Sequence, residues 1–203
     1  MYKTLSLSLL LACCISAAPA WSASAIFAGG CFWCMESAYQ EVPGVTEVVS
    51  GFSGGTHPNP TYQGAHTGHY EVVQVTYDAQ QISYQDLLTL FWVNVDPFDD
   101  GGQFCDRGES YRTAIFVADA GERELAEATL AAVQQQFPGQ GVVTPILDRA
   151  EFFPVDEGHQ DYYLKNPLRY KYYRYGCGRD KRLDAVWEGS RLREQADALS
   201  TAH

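Results

Sequence analysis

In "HYEVVQVTYD", residues 69–78, polar and apolar side chains alternate, so that Glu71, Val73, Val75 and Tyr77 fall on one face and Val72, Gln74 and Thr76 on the other. That two-residue period is the period of a half-buried strand. It sets one carboxylate on an otherwise apolar face. The rest of the chain is read from the same kind of pattern. Residues 25–28 predict a short strand running into Gly29-Gly30, after which "CFWCMESAYQEV" can wind as a helix that stops before Pro43-Gly44. Residues 45–52 predict a second strand, followed by the Gly- and Pro-rich loop "SGGTHPNPTYQGAHTG". Ser83 is placed to cap a helix whose Leu87, Leu88, Phe91 and Trp92 form an apolar stripe. "YRTAIFVA" predicts a strand, residues 121–137 a helix with Ala126, Leu130, Val133 and Phe137 on one side, and "GVVTPILD" an edge strand interrupted by Pro145. Residues 152–175 are crowded with tyrosines and have no clean period, which predicts loop with short helical turns. "DKRLDAVWEGSRLREQADAL" predicts one closing helix. Strands and helices interleaved on one core predict an α/β or α+β class with a mixed sheet flanked by helices.

The first residues follow a different pattern. One lysine, an apolar run of about a dozen residues and then small residues at Ala18, Ala20, Ala23 and Ala25 have the layout of a secretory signal peptide. The expected division is residues 1–23 as signal, cleaved near 20–25, and 24–203 as a single domain ending in a helix. The apolar run is too short for a permanent membrane span. Export to a bacterial periplasm is therefore expected, with a lipid anchor at Cys13 or Cys14 as a minor alternative. The net charge of −11 disfavours a phosphate backbone as partner, so no nucleic acid is expected. Nine of the 14 basic residues nevertheless lie between Lys165 and Arg193, as a solvated face or an anion site.

Without the leader the chain keeps four of its six cysteines: Cys31, Cys34, Cys105 and Cys177. An even number in an exported chain permits two disulfides. A chain this long does not need such staples to fold, which favours a redox role. Three chemistries suit Cys31-Phe32-Trp33-Cys34: a thioredoxin-like dithiol, half of a zinc site, or a sulfoxide- or peroxide-reducing thiol with its resolving partner. Zinc knuckles use small residues in their turn and a second close pair, whereas Phe32 and Trp33 are bulky and Cys105 and Cys177 are isolated, so no metal is expected. Inert structural disulfides are the bland alternative. A strand, a glycine turn and a helix start place Cys31 at a helix N-terminus, where the dipole favours thiolate. Cys31 is then the better nucleophile, and Cys34, one turn on, sits where a resolving thiol would.

Five segments in order, "GGCFWCMESAYQEVPGV", "SGFSGGTHPNPTYQ", "TGHYEVVQVTYD", "GGQFCDRGESYRTAIF" and "HQDYYLKNP", resemble the motif series of the A-type peptide-methionine sulfoxide reductases. The resemblance implies a ferredoxin-like α+β plait with additions. It implies Cys31 as nucleophile, Glu71 as catalytic acid, Phe32 and Trp33 as walls for the substrate methyl group, Tyr62 and Tyr111 as pocket phenols, and Asp106 as the active-site aspartate. His159 is given no catalytic part. The implied reaction reduces methionine S-sulfoxide, free or in oxidised proteins, through a sulfenic acid on Cys31. A second cysteine resolves it, Cys34 ranked before Cys177, and a thioredoxin-like protein reduces the disulfide. No cofactor is implied, and the protein is expected to act as a monomer. Cys105 and Cys177, left over, are expected as a separate structural or relay pair. The competing functions are a thioredoxin-like dithiol oxidoreductase and a secreted, disulfide-stapled binding module.

Overall fold

A computed structural model describes residues 22–201 of the chain. The expected signal peptide lies outside the described residues, apart from its last two positions. The first strand, β1 (Ser22–Gly29), begins three residues earlier than the pattern predicts, with Ser22 paired to Asp78. It is followed by α1 (Phe32–Tyr39), β2 (Val45–Ser53), β3 (Tyr70–Asp78) and α2 (Tyr84–Val93). After a two-residue hairpin, β4 (Gly102–Gln103) and β5 (Asp106–Arg107), come β6 (Thr113–Val117), α3 (Ala120–Gln136), β7 (Ile146–Asp148) and β8 (Phe153–Pro154). Four helices close the chain: α4 (Tyr162–Lys165), α5 (Pro167–Gly176), α6 (Arg179–Trp187) and α7 (Arg191–Thr201).

Six strands make one mixed sheet in the order β7-β6-β1-β3-β2-β8, antiparallel except for the parallel β6–β7 pair. The class is α+β, as expected. The alternation in β3 decides what faces the helices: Val73, Val75 and Tyr77 join Ala25 and Phe27 of β1 in the main core, against Met35 and Tyr39 of α1 and Leu87, Leu88 and Phe91 of α2. Ile26, Ala28, Val72 and Phe116 form a smaller cluster of their own. Ser83 caps α2 through a reciprocal box with Asp86, its hydroxyl accepting from Asp86 N–H at 3.1 Å and Asp86 accepting Ser83 N–H at 3.0 Å.

Three expectations about elements are corrected. Residues 152–175 include a ten-residue helix, α5, where only short turns were expected. Its apolar side chains Leu168, Tyr172 and Tyr175 point outward and Tyr170 alone is buried, so there is no apolar stripe for a 3.6-residue period to reveal. Pro167 at its first turn is the start signal that the sequence does carry. The closing helix is two helices, broken at Gly189, whose φ of 70° suits glycine, with Ser190 Oγ accepting Arg193 N–H at 3.1 Å. In "GVVTPILD" only the three residues after Pro145 pair, at the sheet edge.

Candidate active site

The turn between β1 and α1 builds the centre of the site. Gly30 has φ 80°, and a Cβ there would lie 2.5 Å from Cβ of Gln103, so the turn is open only to glycine. Gln103 is buried, and its side-chain amide bonds Asp96 through both backbone groups, at 2.8 Å each. Cys31 caps α1 with its backbone alone, its carbonyl accepting from Cys34 N–H at 3.1 Å and Met35 N–H at 3.3 Å. Its sulfur is thus left for chemistry. Cys31 and Cys34 are both free and buried, 5% and 1% exposed.

Aromatic rings surround this turn. Phe32 belongs to the core and meets Phe52 at 5.9 Å, Tyr62 at 6.1 Å and His159 at 5.7 Å between ring centres. Trp33 lies parallel to Tyr162 at 3.7 Å, with Tyr173 edge-on at 5.9 Å. Its indole N–H donates to Nδ1 of His159 at 3.2 Å, and the His159 ring is 3.9 Å from that of Tyr62. Burial holds the His159 pKa down, which suits a neutral ring accepting at Nδ1. The expected wall residues Phe32, Trp33 and Tyr62 are together here. His159, given no catalytic part, packs into this wall, and Tyr162 and Tyr173 are additions that the sequence reading missed, because the stretch supplying them has no period to announce a face.

Glu71 is 2% exposed, opposite Phe52 in the β2–β3 ladder, and its Oε2 accepts Phe32 N–H at 3.1 Å. Burial pushes its carboxyl up to about 8, against the opposing hydrogen bonds from Phe32 and Tyr111. It is a protonated acid at neutral pH. Burial, then the charge of Glu71, also raises the Tyr62 and Tyr111 phenols, which therefore remain O–H donors. Asp106 accepts the Tyr173 hydroxyl at 2.5 Å, and burial raises its carboxyl despite that bond.

The two thiols are held differently. Burial pushes Cys31 well above an ordinary thiol, and its partner Cys34 and the carboxylate of Glu71 push it further. Cys34 is lowered to about 6, first by its hydrogen bond with Cys31 and, against burial, by the charges of Arg179 and Arg174. A helix N-terminus contributes only about 0.3–1 kcal/mol, whereas full burial can move a pKa by about 3–5 units. Both thiols are buried, so what separates them is their shared hydrogen bond and the two arginines, which favour the thiolate of Cys34 over that of Cys31. Position still separates the two sulfurs: Tyr62 and Tyr111 sense the charge of Cys31, whereas Tyr170 and the arginines face Cys34.

Cys177, ranked second as resolver, is instead disulfide-bonded to Cys105, with 4.9 Å between the Cα atoms. The bond joins the C-cap of α5 to the hairpin that carries Asp106. Among the described residues, Cys105, Asp106 and Cys177 are the one close trio of metal-type donors, and the disulfide removes the thiolates a metal would need.

A family described as "Peptide methionine sulfoxide reductase" matches residues 23–191. The peptide methionine sulfoxide reductase MsrA 2 of Caulobacter vibrioides is 50% identical over 169 residues, which are 82% of this chain and 86% of that protein. The solved methionine sulfoxide reductase A of Corynebacterium diphtheriae has a TM-score of 0.65 at 32% identity, covering 74% of this chain and 77% of its own. Mxr1 of Saccharomyces cerevisiae in reduced form has the same TM-score at 27% identity, covering 78% and 93%. With its paired thiols beside a buried acid, this chain belongs to the peptide methionine sulfoxide reductase family and is an oxidoreductase that reduces methionine sulfoxide to methionine.

Proposed function

We propose that Cys31 is the nucleophile, Glu71 the acid and Cys34 the resolving thiol of this reduction. The observation that carries this reading is the buried Glu71 carboxyl, bonded to the Phe32 N–H one residue after Cys31. A sulfoxide sulfur is a poor electrophile until its oxygen is protonated or strongly hydrogen-bonded. Phe32, Trp33 and Tyr62 hold the methyl group, and the Tyr62 and Tyr111 hydroxyls hold the oxygen. The Cys31 sulfur attacks the sulfoxide sulfur as its proton passes to the Cys34 thiolate, and Glu71 protonates the oxygen. Methionine leaves, and Cys31 keeps the oxygen as a sulfenic acid. Cys34 then attacks the Cys31 sulfur, the S–O bond breaks, and the departing hydroxide leaves as water with the Cys34 proton. The two thiols supply both electrons.

The Cys31–Cys34 disulfide is returned to dithiol by exchange with a thioredoxin-like reductant. Mxr1 has also been solved in complex with Trx2. We further propose that the substrate is the S epimer, free or in oxidised proteins, and that the chain acts as an exported, periplasmic monomer; the leader pattern supports the location. Cleavage at or before residue 21 would keep all of β1 in the mature protein.

Methionine release from a sulfoxide peptide, counted per enzyme without reductant and then with it, tests these roles. Cys31→Ser releases none. Cys34→Ser releases one equivalent and then stalls. Continued turnover by Cys31→Ser would exclude it as nucleophile.

A further inference from the structure

We propose that Arg179, with Arg174 beside it, is a positioning residue for the resolving step: Arg179 is bonded around the turn that carries both thiols, Arg174 reaches the same turn through Tyr170 and Ser37, and together they make Cys34 the attacking sulfur. This rests on the reading of Cys34 as resolver. Arg179 opens α6 after the left-handed Gly178 and is 1% exposed. Its Nη2 donates to the carbonyls of Gly29 at 3.2 Å and Asn94 at 2.6 Å and touches Sδ of Met35 at 3.3 Å. Those contacts bracket the turn that carries both thiols. The guanidinium lies 4.5 Å from the Phe104 ring centre, and its Nε and Nη1 are buried without a partner. It belongs to none of the ion pairs among the described residues.

A guanidinium buried this deeply is costly unless an anion balances it. Arg174 is ion-paired with the exposed Asp180, which shares its charge, and is tied to the same place through hydroxyls. Its Nη1 donates to Tyr170 Oη at 3.1 Å, Tyr170 and Ser37 share a hydrogen bond of 2.6 Å, and Ser37 donates to the Cys34 carbonyl at 3.1 Å. Tyr170 and Cys34 pack in one buried cluster. The titratable and charged groups facing Cys34 are Cys31 on its own turn, Glu71 on β3, Tyr170, Tyr173 and Arg174 on α5, and Arg179 on α6. The two cations among them both come from the basic segment, and both act to hold the Cys34 proton off. In the step they serve, the Cys34 sulfur bonds to the Cys31 sulfur as the sulfenic S–O bond breaks, and water carries away the oxygen and the Cys34 proton.

The test is the pH dependence of Cys34 alkylation in a Cys31→Ser background, read by peptide mass spectrometry. Arg179→Met raises the alkylation midpoint by about one pH unit; Arg174→Met raises it by less, and Arg179→Lys restores most of the wild-type value. In enzyme with both thiols, Arg179→Met slows disulfide formation after one equivalent of methionine sulfoxide by up to about tenfold on the acid side of the midpoint. The rate converges on wild type on the alkaline side. A folded Arg179→Met protein with an unmoved midpoint, or a slow step that alkali does not restore, overturns the proposal. Should Arg179→Met fail to fold, an unmoved midpoint in Arg174→Met overturns it. If Cys34→Ser enzyme still forms a Cys31 disulfide at the wild-type rate, the resolver assignment fails, and the alkylation midpoints still report on the arginines.

Discussion

At the scale of single residues, Glu71 is the side chain whose chemistry is most visible in the sequence. Alternation in β3 places it on the face of Val73 and Val75, and that face is the one packed against helices. The pattern leaves a buried glutamate and a solvent-facing one on an edge strand as alternatives; the inner place of β3 in the sheet and the pairing with the Phe32 N–H, both of which require the fold, decide for burial. Because its carboxyl is raised to about 8, it is a proton donor below that pH and loses the proton above it. The first step, measured as methionine release in a single turnover, is predicted to fall as pH rises through about 8. Glu71→Gln lowers that rate by about 10²–10⁴-fold and removes the alkaline fall. The protonation of Cys31 could not be read in the same way. Local sequence shows the helix start, while the burial that outweighs it comes from Tyr162 and Tyr170, more than a hundred residues away.

At the scale of elements, the site depends on how α1 holds the segment leading into α4. Glu36 is fully buried, accepting Asp161 N–H at 2.9 Å and the Ser50 hydroxyl at 3.2 Å, and Gln40 donates to Asp161 at 2.7 Å. Gln160 adds bonds to both backbone groups of Ser50, at 2.9 and 2.8 Å. Asp161 is left-handed, with φ 53°, and the next residue, Tyr162, lies on Trp33. Burial raises the Glu36 carboxyl to about 7, despite the Asp161 and Ser50 bonds. A folded pKa above the unfolded one favours the protonated form, so this contribution is complete below about 4.5 and is lost as pH rises through about 7. Glu36→Gln is therefore predicted to flatten the decline of urea midpoint between pH 5 and 8, and to be more stable than wild type at pH 8 by about 1–3 kcal/mol. Elements with a period, such as β3 and α2, were legible in the sequence. The α4–α5 region was not, because its residues are placed by these polar ties and by aromatic stacking.

At the scale of the whole molecule, the basic residues between Lys165 and Arg193 divide by position: Arg179 is buried beside the thiol turn, Arg174 is half-buried between Tyr170 and Asp180, and others remain on the surface of an acidic protein. Their clustering was legible in the sequence; its inward direction was not. The Cys105–Cys177 bond closes the chain across 72 positions and carries no step of the proposed chemistry. The double variant Cys105→Ser/Cys177→Ser is predicted to lose about 2–5 kcal/mol of stability in urea unfolding and to keep repeated turnover. The division of labour among the four cysteines is tested most directly by mapping disulfides by mass spectrometry after the reduced-pair enzyme receives one equivalent of a methionine sulfoxide peptide. The mechanism predicts a new Cys31–Cys34 bond with Cys105–Cys177 unchanged; a bond from Cys31 to Cys105 or Cys177 would contradict it.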